Sequence, residues 1–223
     1  MKKIILLTIS IGTILTFVIY KNFYHEDMNI VALGDNVALG QTAYNVKGYS
    51  YNDYVKDFYE DNSILKEYIT EFISETETTE TFLLKLQNNY TLESTNTSIT
   101  QAISKAKILT IALGMDELNS KQELNSNHIE KYLQNMEKII KMLRIYNKKN
   151  IFLISLYPTT KLSKEKVTAI NKSLEEICKQ YRVYFINITS ILENKEYIFT
   201  DQSYYFNYKA HRYISEQIID KIK

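Results

Sequence analysis

The chain has 223 residues, with 27 Lys and Arg against 26 Asp and Glu and a formal net charge of +1. That balance gives no basic footprint and no acidic tail, so nucleic-acid partners are not expected. One cysteine, Cys178, excludes an intramolecular disulfide framework and any multi-thiolate metal site.

The first element is apolar. Met1, Lys2 and Lys3 precede a charge-free run from Ile4 to Tyr20, which Lys21 closes. A positive start and an apolar core fit a secretory signal or a signal anchor. No small-residue cleavage site follows, and no cysteine offers a point of lipid attachment. Residues 1–21 are therefore expected to form an uncleaved transmembrane anchor, its apolar run a little short of the roughly 20 residues usual for a spanning helix. Lys2 and Lys3 hold the N-terminus in the cytoplasm and place the rest outside the cell membrane. Cleavage would give the same compartment without the tether. Residues 22–27 read as a polar joint, and residues 28–223 as one α/β domain.

Within that domain strand-like and helix-like patterns alternate. Asn29–Asp35 reads as a buried strand ending in a turn. Tyr51–Asn62 has helical spacing through Tyr54, Val55, Phe58 and Tyr59, and alternation predicts a strand over Tyr68–Ile73. Helices are predicted over Thr79–Asn88 and Asn96–Lys105. Ile108–Gly114 is a nearly continuous apolar run, as expected of a strand covered on both faces. A long amphipathic helix over His128–Tyr146 leads into a strand at Ile151–Tyr157, stopped by Pro158. Ser163–Tyr181 is a helix with Ser163 as its N-cap and Cys178 buried beside Leu174 and Ile177. Val183–Ile188 is the last predicted strand. Tyr208–Lys223 is the C-terminal helix, with Ile214, Ile218 and Ile222 facing inward.

Strands separated by helices imply right-handed crossovers and a mostly parallel sheet. Ligand-contacting groups in such sheets gather outside the carboxyl ends of the strands. That rule selects Gly34 to Asn36, the loop after Ile73, Gly114 to Glu117, and Thr159 with Thr160. Asp35, Asp116 and Glu117 are expected to converge there, where carboxylate oxygens suit a hard divalent cation. In the competing reading, Asp35 caps the first helix and the other two are solvated. The histidines are His25 in the joint, His128 at a helix start and His211 inside the C-terminal helix, where packing is expected rather than base catalysis. Among nineteen tyrosines, Tyr44, Tyr49, Tyr51 and Tyr54, with Tyr204, Tyr205 and Tyr208, border the same end of the sheet. Such rings can grip a sugar or a peptide, or simply pack.

Three segments carry a resemblance. Ile30 to Gly40 (Ile-Val-Ala-Leu-Gly-Asp-Asn-Val-Ala-Leu-Gly) resembles the Gly-Asp-Ser block of the SGNH/GDSL hydrolases. Ile111 to Leu118 is similar to their Gly-x-Asn-Asp-Leu block, and Tyr205 to Ser215 to the last block, which opens the C-terminal helix. The three occur in the family's order and span almost the whole domain. The resemblance implies a flavodoxin-like three-layer α/β/α sandwich on about five strands, mostly parallel. It also implies an ester-hydrolase site. There a Ser attacks, a His is its base, and Ser and Gly N–H groups with an Asn side chain stabilise the oxyanion.

Carried over position by position, the catalytic residues are replaced. Asn36 stands at the serine position and has no hydroxyl to activate. The oxyanion glycine falls near Ser74 or Glu75, in a stretch without glycine from Gly48 to Gly114. Asp116 puts an acceptor-only carboxylate where an Asn donor is needed. Tyr205 takes the histidine position, and a phenol is a poor base at neutral pH. Asp201 lies four residues before Tyr205 instead of the family's three. The expected function is a catalytically inactive, membrane-anchored domain outside a bacterial-type cell, working without a cofactor. It would bind a cell-wall glycan or an envelope protein through Asp35, Asn36, Gly114, Asp116, Glu117, Tyr204 and Tyr205. The alternative is an active ester or acyl hydrolase with a non-standard site, metal-assisted through Asp35, Asp116 and Glu117.

Overall fold

The computed structural model describes residues 27–42, 44, 46–120, 124–198 and 205–222. The expected membrane anchor lies outside these residues, as do Asp201 and Tyr204. Five strands, β1 (Met28–Gly34), β2 (Leu65–Ile69), β3 (Ile108–Ala112), β4 (Asn150–Ile154) and β5 (Tyr184–Ile186), form one sheet in the order β2-β1-β3-β4-β5. Every pairing is parallel, and the register runs from Ile30 opposite Ile108 to Gly34 opposite Ala112 at the centre. The central strands are apolar on both faces: all five residues of β3 are buried. This is the burial that a sheet covered on two sides demands.

The helices are α1 (Asn36–Leu39), α2 (Tyr51–Asp61), α3 (Thr79–Gln87), α4 (Ile99–Lys105), α5 (Met115–Asn119), α6 (Ser126–Tyr146), α7 (Lys164–Tyr181) and α8 (Tyr208–Asp220). β1 lies between β2 on one side and β3 on the other, so the strand order reverses after β2. With right-handed crossovers, that reversal puts α2 on one face of the sheet and the crossover helices α6 and α7 on the other. The packing agrees: α2 lies against α8, and α6 lies against α3 and α7. Ser50 starts α2 with a capping box, its hydroxyl accepting from the Asp53 N–H while Asp53 accepts from the Ser50 N–H. Ser163 caps α7 as predicted, and Cys178 is buried. Among the described residues no helix is long and apolar enough to cross a membrane.

The second strand departs from expectation. It spans Leu65–Ile69, overlapping the predicted Tyr68–Ile73 only at Tyr68 and Ile69. Lys66 and Glu67 are exposed on this edge strand, which hid its start. The alternation through Phe72 and Ile73 belongs to a turn, tied back by a single bridge from Ile73 to Gly34.

Candidate functional site

The reversal of strand order between β1 and β3 opens a crevice where their chains diverge, the usual place for ligands in open α/β sheets. Gly34 ends β1 with φ +129°, and a Cβ there would lie 1.8 Å from the Ala112 carbonyl oxygen. Only glycine permits the close approach that brings Asp35 against β3. Asp35 is fully buried. Its Oδ1 accepts from the Val37 N–H (3.1 Å), capping α1, and its Oδ2 accepts from Gly114 (2.8 Å) and Met115 (3.2 Å). One carboxylate thus joins the turn after β1 to the turn after β3. Burial, with Asp116 close by, raises its pKa to about 7 against the lowering pull of those three N–H groups.

Asn36 and Asp116 face each other across this junction. The Asn36 side chain and backbone N–H both lie close enough to the Asp116 carboxylate to lower its pKa, although burial still leaves it raised. An ionised carboxylate only accepts, so Asn36 must offer it Nδ2, which turns Oδ1 away. Asn36 Oδ1 and Asp116 Oδ2 are buried and accept no hydrogen bond among the described residues.

Both residues line a small cleft with Gln41, Tyr157, Tyr205, Phe206 and His211. Its enclosed space is about 10 Å³, the room of roughly one water molecule. Asn36, Asp116 and Tyr205, the positions that the resemblance matches to Ser, Asn and His, therefore share one cleft. Tyr157 and Phe206 wall it with ring centroids 4.4 Å apart, and the Phe206 ring meets His211 edge-on at 5.7 Å. His211 is buried, and its Nδ1 accepts from the Tyr51 N–H at 3.2 Å, joining α8 to α2. Burial pushes its pKa down to about 4, so the ring is neutral near pH 7.

Other expected members lie elsewhere. Glu117 follows Asp116 by one helical position, about 100° around the axis, and so points away from the cleft. It accepts from the Thr79 N–H (2.7 Å) and hydroxyl (3.1 Å) at the start of α3. The three acids therefore do not converge, and among the described residues no three His, Cys, Asp or Glu gather in a metal-binding group. Gly114 contributes its N–H to Asp35 and no cleft surface. Tyr51 is fully buried, while Tyr44, Tyr49 and Tyr208 are exposed. The Ser74 N–H donates to the Gly34 carbonyl (3.1 Å). Gln41, Tyr157 and Phe206 carried no local signal in the sequence, because distant loops bring them to the cleft. His211 combines its expected packing role with a place in the wall.

No protein-family model matches the chain, and no curated protein sequence matches it. Solved structures do. A lipase/acylhydrolase from Enterococcus faecalis superposes with TM-score 0.63 at 14% identity, covering 87% of this chain and 95% of that one. A catalytic mutant of an acetylxylan esterase from Geobacillus stearothermophilus gives 0.62 at 12% identity, covering 89% and 94%. The psychrotrophic esterase EstA from Pseudoalteromonas sp. gives 0.57 at 19% identity, covering 88% and 97%. The fold is that of the GDSL-type ester hydrolases. The positions that the sequence resemblance matches to the reactive residues of such enzymes hold Asn36, Asp116 and Tyr205.

Proposed function

We propose that this chain is a non-catalytic SGNH-fold binding domain, tethered outside the cell membrane by residues 1–21, that holds an envelope ligand in the old cleft. The observation that carries this reading is the fate of the oxyanion donors. The N–H of residue 36 faces the Asp116 carboxylate and helps to hold its charge. The N–H of Ser74 is taken by the Gly34 carbonyl. The third donor is replaced by Asp116 itself, whose charge opposes a developing oxyanion. Losing even one such donor costs about 10²–10³ in rate, and Asn36 supplies no nucleophile.

The full-length chain in detergent micelles should be assayed with short acyl nitrophenyl esters and acetylated glycans, with and without divalent cations. No turnover above that of micelles alone is expected. Turnover that disappears on Asn36→Ala or Asp116→Ala would instead establish a hydrolase with a non-standard site.

A further inference from the structure

Resting on that binding reading, we infer that the cleft recognises a primary ammonium group, presented by a larger envelope molecule whose body stays outside. A hydrolase of this fold offers hydrogen-bond donors to an oxygen. Here the polarity is reversed: two acceptor oxygens of lining residues, Asn36 Oδ1 and Asp116 Oδ2, are buried and accept no hydrogen bond among the described residues. Buried acceptors without donors are costly, so a donor group is favoured.

Charge selects among donors. Among the described residues no Lys or Arg lines the cleft. His211 is held neutral by burial, and Asp116 is the carboxylate of the lining. The field is therefore negative, and the short helices α1 and α5, of four and five residues, carry too little dipole to reverse it. Size agrees as well: an ammonium head is about as large as the single water position enclosed, whereas an acyl chain is not.

The test uses the full-length chain in micelles and saturation-transfer NMR with glucosamine, N-acetylglucosamine and ethanolamine. Glucosamine is expected to bind at least tenfold more tightly than its N-acetyl form, which keeps the ring and loses the charge. Asp116→Asn is expected to weaken glucosamine at least tenfold. If that variant unfolds, the comparison of the two sugars on the native protein decides. Binding of ethanolamine alone supports the ammonium class and points to a lipid headgroup, whereas preference for glucosamine supports it and points to a de-acetylated glycan. Equal or tighter binding of N-acetylglucosamine, or no binding of either amine, overturns the ammonium inference. The binding domain itself falls only if the ester assay shows site-dependent turnover.

Discussion

Tyr132 fills the space that any side chain at position 114 would occupy. A Cβ on Gly114 would lie 2.2 Å from Tyr132 Cε2, and the Tyr132 hydroxyl is fixed by donating to the Leu113 carbonyl at 3.1 Å. Gly114 also has φ +108°, a conformation that side chains rarely adopt. Gly114→Ala should therefore cost about 2–4 kcal/mol from overpacking and backbone strain together. The measurement is a lower urea midpoint with an unchanged slope.

Asp35 and His211 shape the acid side of the stability curve in opposite directions. The Asp35 pKa is raised from 3.8 to about 7 on folding, so the native state holds a proton that the unfolded chain has lost. Its contribution is fully present below pH 4 and disappears as pH rises through 7. The His211 pKa is lowered from 6.5 to about 4. Its contribution is present above pH 6.5 and disappears as pH falls through 4. At 1.36 kcal/mol per unit these are on the order of 4 and 3 kcal/mol, and they partly cancel.

Removing either group should expose the other. His211→Asn keeps an acceptor for the Tyr51 N–H, and the variant should become more stable on acidification from pH 7 towards pH 4. Asp35→Asn, which leaves buried N–H groups without their carboxylate, should be less stable at every pH and should lose stability more steeply on acidification. Thermal melts across pH 4–8 would read both slopes; parallel profiles for the two variants would contradict the assignment.

Glu117 gives a control that separates stability from recognition. Glu117→Ala removes the carboxylate that accepts from Thr79 at the start of α3. A loss of about 1–3 kcal/mol in denaturant unfolding is expected. Glucosamine affinity should be unchanged, because Glu117 does not line the cleft.

Much of this architecture was legible from periodicity. The long helices α6, α7 and α8 and the strands β1, β3 and β4 carry strong apolar patterns that follow directly from burial on a two-sided sheet. β2 was displaced because an edge strand with exposed Lys66 and Glu67 lacks that pattern. α1 and α5 are too short for a periodicity to register. In the site, the family blocks placed Asn36, Asp116 and Tyr205 together, which local pattern alone could not. They did not reveal that Asp116 and Glu117 part company, since that depends on the helical phase of α5. Nor could they reveal Gln41, Tyr157 or Phe206, whose positions are set by contacts between distant segments.

Restoring catalysis should require more than a nucleophile and a base. With Asn36→Ser and Tyr205→His together, the Asp116 carboxylate still faces the N–H of residue 36 and repels an oxyanion. That double variant should hydrolyse nitrophenyl acetate no faster than the native chain. Adding Asp116→Asn restores a donor and frees the N–H, and should raise the rate by about 10²–10³ over the double variant.

The pairing of Asn36 with Asp116 also bears on how such a domain can change. Each residue stabilises the other: the amide answers a carboxylate crowded by Asp35, and the carboxylate satisfies an amide held at a tight turn. Replacing Asn36 alone leaves the half-buried Asp116 carboxylate without its amide neighbour, and replacing Asp116 with Asn sets two amides face to face. The effect of each substitution therefore depends on whether the other has been made.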